Sequence, residues 1–156
     1  MRSRIDRVLE VVLCALLSLL VIDVLWQIAS RYVLASPSSV TDEIAGFLLV
    51  WVGLLGSAYC YGCGDHLAVD LLLQRVGATT QSRLRLLINI VVAIFAALVM
   101  SVGGGWLVYT RFYLGVTSAA LSLNLGYVYA VLPLSGVLTL YYAIDNIVNS
   151  KNLKIS

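Results

Sequence analysis

The run IAGFLLVWVGLLGSAYCYGCG, residues 44–64, holds 21 consecutive residues without a charged side chain. About 20 helical residues suffice to cross the hydrocarbon layer of a bilayer. Working outward, three more stretches of similar length match it: residues 8–32, 86–110 and 121–144. Only the first is interrupted by charge, at Glu10 and Asp23, before Arg31 closes it. Hydrophobic residues make up 61% of the chain and charged ones 12%, half the charged share of an ordinary soluble domain. These runs predict an all-α integral membrane four-helix bundle forming a single membrane domain over residues 1–156.

The basic residues report orientation. Arg2, Arg4 and Arg7 precede the first span, Arg75, Arg83 and Arg85 lie between the second and third, and Lys151 and Lys154 follow the fourth. Only Arg31 and Arg111 fall on the other side. The positive-inside rule therefore places both termini in the cytoplasm and removes nucleic acid from the partners the charge suggests. An N-terminal basic segment before apolar residues 11–22 resembles a cleaved leader. Asp23, Trp26 and Gln27 stand where small residues should mark cleavage, so a retained signal-anchor helix is expected.

Between the spans, Pro37 among serines ends the first helix and turns the chain. Ser39 and Thr41 can cap the next helix, and Asp42 and Glu43 sit at its positive end. That acidic pair reads equally as helix-end electrostatics or as part of a recognition surface. Residues 65–75 mix Leu67, Val69 and Leu71 with Asp65, His66, Asp70 and Arg75, which predicts a short amphipathic segment in the cytoplasmic interface. His66 and Asp70 share a helix face and suit a capping or interfacial hydrogen bond. A helix then begins at Thr79 or Thr80 and continues to Phe112, long enough to require tilt or protrusion.

Small residues recur every fourth position on that helix at Ala93, Ala97, Ser101 and Gly105. Such a stripe lets another helix approach closely in lipid, and Gly53 and Ser57 offer a matching shallow groove. The run 103–105 loosens the outer end of the helix, and Pro133 predicts a kink in the fourth span. Trp26-x4-Arg31-Tyr32-x-Leu34 recurs as Trp106-x4-Arg111-Phe112-x-Leu114. Independent Trp and Arg anchors at one interface explain this better than duplication.

Candidate chemistry is sparse. Asp23 in the first span costs about 2.5–3.5 kcal/mol on insertion scales. Gln27 and Arg31 follow at four-residue steps with Ser30 alongside, making a polar stripe. A hydrogen-bonded seam, within the bundle or between subunits, is preferred over a proton or ion site, because one carboxylate is thin for a pathway. Cys60-x-x-Cys63 lies at the cytoplasmic end, where thiols stay reduced, and only Cys14 accompanies it. Cys60, Cys63 and His66 drift around a helix instead of converging on a metal. No nucleophile–base pair, phosphate loop or paired carboxylates occur in the spans, so neither enzyme chemistry nor a cofactor is expected. Apolar faces exceed what one bundle can bury, which points to lipid or another membrane subunit.

The residues also carry a resemblance. Arg31 closes the first span, Asp42 and Glu43 open the second, and Trp51, Gly56 and His66-Leu-x-Val-Asp70 follow. Gly115-x-Thr117-Ser118-x-Ala120-Leu121 then precedes Pro133 and Gly136. In this order, over roughly residues 5–148, the chain resembles the small membrane (DctQ-type) subunit of tripartite ATP-independent periplasmic (TRAP) transporters. Val40 and Gly62-Cys63-Gly64 depart from the family pattern, which often has Trp and a basic residue there. The resemblance implies a non-catalytic permease subunit in a bacterial inner membrane. Its implied partners are a large membrane subunit, a periplasmic substrate-binding protein and membrane lipids. Uptake of an organic acid would use a sodium gradient, with ion sites in the large subunit. Arg31, Asp42, Glu43 and Arg111 become candidates for periplasmic docking. Asp23, Gln27, Gly53, Ser57 and the 93–105 stripe become candidates for packing. The main alternative is a small self-assembling proton-coupled transporter using Asp23.

Overall fold

The computed structural model describes residues 2–33, 38–63 and 78–152. Helix α1 (Arg2–Tyr32) is followed by α2 (Ser39–Cys63). Residues 78–113 form one rod in three parts: α3 (Ala78–Phe95), a π-helical segment (Ala96–Gly103) and α4 (Gly104–Tyr113). A loop leads to the short α5 (Leu125–Tyr129) and to α6 (Val131–Asn152). Among the described residues, four stretches are long and apolar enough to cross a membrane: Arg2–Tyr32, Ser39–Cys63, Arg83–Tyr113 and Leu125–Val148. The expected all-α, four-span architecture is the one found. The predicted amphipathic segment at 65–75, with His66 and Asp70, lies outside the described residues.

Helices α2 and α6 make the middle of the assembly. The α1 helix packs along α2, while α3 and the π segment pack along α6. The core gathers Leu9, Leu55, Tyr61, Val131, Tyr142 and Ala143. The starting end of α1 and the finishing end of α6 lie together, because Arg2 reaches Asp145 at 2.6 Å. Both outer helices are nearly bare. Of the 31 residues in α1 only Leu9 and Ser30 are buried. A helix whose long apolar middle has so little covered surface is suited to lipid or to a further helix.

The fourth span starts at Leu125, later than the charge-free run suggests. Residues 121–124 remain in the loop because Asn124 is extended and caps α5, its side chain accepting from Gly126 N–H at 2.8 Å. Gly115 and Ser122 both take positive φ, +60° and 54°, which folds residues 114–124 tightly back. The interruption expected at Pro133 falls at Ala130, between α5 and α6. Pro133 then occupies the first turn of α6, where a missing N–H leaves no bond unmade.

The third rod contains a feature the sequence did not announce. Backbone angles at Phe95 and Gly104 are helical, so the π segment joins its neighbours without a break. Ser101 Oγ donates to Ala96 O, five residues back, at 2.9 Å. Gly136 on α6 meets this segment, and a Cβ there would stand 2.7 Å from Met100 Cβ and 3.0 Å from Ser101 N. Gly104 approaches α6 equally closely, since a Cβ would lie 2.8 Å from Leu132 Cδ2 and 3.1 Å from Pro133 N. Glycines on both helices therefore set their separation.

Candidate partner-binding site

Two polar clusters mark the two ends of the assembly. At the end where α1 stops and α2 starts, Glu43 points at the loop formed by residues 114–124. Its carboxylate accepts from Ser118 Oγ, from Ala120 N–H at 3.0 Å and from Leu121 N–H at 3.2 Å. Ser118 is buried, and its Oγ also accepts from Leu121 N–H at 3.2 Å. The loop closes on itself through Ser118 N–H to Leu123 O at 2.8 Å and Leu125 N–H to Val116 O at 3.0 Å. An ionised acceptor shared by several donors makes hydrogen bonds about twice as strong as neutral ones. Glu43 thus anchors the loop, taking the Ala120 N–H and sharing the Leu121 N–H with Ser118.

The neighbouring Asp42 has a different task. It is exposed and accepts from Gln27 Nε2, joining the start of α2 to α1. Ser30, although buried, returns its hydroxyl to Gln27 O at 2.9 Å on its own helix. Asp23 is half-covered, yet its Oδ2 is buried without a hydrogen-bond partner among the described residues. Arg31 is exposed, with no carboxylate partner among the described residues. Arg111 lays its guanidinium 5.6 Å from the centre of the Tyr129 ring, and its buried Nε lacks a partner among those residues. Of the four docking candidates, Arg31 and Asp42 face outward, while Glu43 and Arg111 turn to the protein's own loop and α5.

Exposed aromatic side chains surround this end. Trp26, Tyr32, Trp106, Tyr109, Tyr113 and Tyr127 are all exposed. Tyr109 and Tyr113 stack with ring centres 6.1 Å apart. Aromatic rings gather where a membrane meets water, so they mark an interface level near the ends of α1 and α4.

The packing candidates divide. Ala93 packs against the core, and Ala97, Ser101 and Gly105 are half-buried. Among the residues of the rod whose burial is described, Ala96 and Gly104 are the most deeply covered. A Cβ at Gly105 would meet nothing within 4 Å. On α2, Gly53 and Ser57 lie on an exposed face, and Gly46 and Gly53 are equally open. Trp51 and Gly56 turn the other way: Trp51 Nε1 donates to Val128 O at 3.1 Å, and a Cβ on Gly56 would reach Leu13 at 3.9 Å.

Sequence reasoning missed the cluster at the opposite end. Arg2 pairs with Asp145, donates to Gly62 O and sits 5.8 Å above the Tyr142 ring. Tyr142 donates to Asp6 at 2.6 Å, and Tyr59 donates to Glu10 at 2.6 Å. Arg2, Asp6 and Glu10 recur every four residues on one face of α1, a signal visible in the sequence. Tyr61 adds a bond to Asn89 at 2.6 Å, linking α2 to α3. Among the described residues no group of His, Cys, Asp and Glu could hold a metal. Cys14, Cys60 and Cys63 are unpaired and exposed. The arrangement offers contacts and fixed loops.

Comparison with known proteins agrees in kind. The family model described as the DctQ component of tripartite ATP-independent periplasmic transporters matches residues 19–151. A protein of Haemophilus influenzae named as a TRAP transporter small permease protein is 26% identical over 103 residues. That alignment covers 66% of this chain and 63% of the relative. The sialic acid TRAP transporter small permease protein of Vibrio cholerae is 22% identical, over 98% of this chain and 87% of its own length.

Proposed function

This chain belongs to the DctQ component family of tripartite ATP-independent periplasmic transporters, and from that premise we propose that it works as the scaffold of its transporter. It is a multi-pass protein of the inner membrane. In this reading the small permease subunit holds a large membrane subunit while that subunit moves substrate. A periplasmic binding protein delivers an organic acid, and a sodium gradient drives uptake through ion sites in the large subunit. Both termini face the cytoplasm, as the eight-to-two distribution of basic residues favours.

The observation that carries the proposal is uncovered apolar surface beside open glycines. The α1 helix buries two residues, and Gly46 and Gly53 on α2 have no neighbour within reach of a Cβ. Packing between backbones drives helix association in lipid, and such positions admit a partner helix closely. The buried, unpaired Asp23 Oδ2 supports a hydrogen bond donated from the large subunit. At the other membrane face, exposed Arg31 and Asp42 beside the anchored 114–124 loop form the surface offered to the binding protein.

Purification in mild detergent tests the scaffold directly. A much larger polytopic membrane protein should be retrieved in equal amount, and its absence rejects the reading. The same Asp23 observation is what a proton-coupled transporter would use. Reconstitution of this chain alone should then give no solute flux; flux lost on Asp23→Asn would establish that alternative.

A further inference from the structure

An apolar groove of about 390 Å³ runs between α1 and α6 over α2. Trp51 and Leu55 form its floor, Val8 and Val12 one wall, and Leu134 and Leu138 the other. The Trp51 N–H is already donated to Val128 O, so the floor presents only hydrocarbon and ring surface. Arg4 lies at the mouth, near the end where α1 starts and α6 finishes. We propose that this groove binds one anionic glycerophospholipid, with an acyl chain along the floor and its phosphate on Arg4.

The charges around the mouth favour an anion. Each acidic group on this part of α1 is occupied: Asp6 accepts from Tyr142 and Glu10 from Tyr59. Asp145 is held by Arg2 at 2.6 Å. Arg4 is exposed and has no carboxylate partner among the described residues. The guanidinium is a fork suited to phosphate. The aliphatic stem of Arg4 lines one end of the apolar slot and leaves its exposed guanidinium within reach of a phosphate there, which matches the head-to-tail polarity of a phospholipid.

The groove's length suits an acyl chain. Arg4 to Val12 on α1 spans about 12 Å at 1.5 Å per residue. An acyl chain is thin enough to enter. The proposal concerns a ligand of this chain itself and stands apart from the scaffold role.

The test is native mass spectrometry of the full chain from mixed micelles holding equal dioleoylphosphatidylglycerol and dioleoylphosphatidylcholine. Wild-type protein should retain one phosphatidylglycerol with about fivefold preference, the effect of one arginine on an anionic lipid. Arg4→Gln should remove the preference while a neutral lipid still binds. Val8→Trp, on the exposed lip of the groove, should reduce binding of both lipids. Arg7→Gln, an exposed arginine off the groove, should leave the preference intact. Equal binding of the two lipids by wild type would overturn the proposal. So would a preference that survives Arg4→Gln, or one lost equally with Arg7→Gln. Retention of lipid unaffected by Val8→Trp would place it elsewhere and overturn it too. Copurified large subunit excluding lipid from the groove would show that a protein helix is the occupant.

Discussion

Glu43 and Ser118 stand 75 positions apart in the chain and share a hydrogen bond that ties the second turn of α2 to the loop before α5. The same carboxylate takes the N–H groups of Ala120 and Leu121. Two motifs that look independent in the sequence, the acidic pair and Gly115-x-Thr117-Ser118, are thus parts of one structure. The acidic pair splits into an outward-facing Asp42 and a loop anchor.

Glu43→Ala should therefore free the 114–124 loop while leaving the spans folded. Hydrogen exchange of the Ala120 and Leu121 amides should accelerate, with amides inside α2 unchanged. Glu43→Gln keeps one acceptor oxygen and should give a smaller acceleration. Unaltered exchange at Ala120 in the alanine variant would show that the loop holds itself.

Gly136 and Gly105 predict opposite outcomes for the same substitution. At Gly136 an added Cβ meets the backbone nitrogen of Ser101 at 3.0 Å, so the helices must separate. Gly136→Ala should cost about 1–3 kcal/mol of stability, as overpacking does. At Gly105 nothing lies within 4 Å, and alanine is the better helix former. Gly105→Ala should leave the chain unchanged or up to about 1 kcal/mol more stable. Thermal melting of both variants in one detergent checks the pair.

The four spans were legible because uncharged runs of bilayer length have few alternatives. Which faces are covered was not. On α1 the hydrophobic pattern has no clear period, so Leu9 and Ser30 could not be singled out from their neighbours. The 93–105 stripe runs along the rod that packs on α6, where Ala96 and Gly104 are the most covered positions among the described residues. A strict four-residue spacing cannot follow a rod whose turns widen over Ala96–Gly103. Pro133 signalled an interruption but not its place, because its ring is acceptable in a first turn and the break falls at Ala130. The Arg2–Asp145 contact was out of reach, since it depends on which helices become neighbours.

That contact gives a prediction of its own. The pair is partly solvent-exposed, at 38% and 29% of side-chain surface, so its direct coupling should be modest. Arg2→Gln and Asp145→Asn, combined in a double-mutant cycle, should give about 0.2–1 kcal/mol of coupling in melting experiments. Tyr142→Phe should cost about 1 kcal/mol more, because it removes the bond to Asp6. No measurable coupling between positions 2 and 145 would mean the ends of α1 and α6 are joined by packing alone.

Gly53 separates assembly from folding. It lies on an exposed α2 face, where a Cβ would meet nothing in this chain. Gly53→Leu should leave the isolated protein as stable as wild type, since no internal neighbour must move. Placed against a partner helix, the same side chain would keep the two backbones apart, and lost close packing is what weakens association in lipid. Copurification of the large subunit should fall severalfold, with uptake falling in parallel. Ser57→Leu, one turn further along the same face, should act in the same direction. Normal copurification in both variants would show that this face of α2 meets lipid and that the large subunit binds elsewhere, with the bare surface of α1 the next face to test.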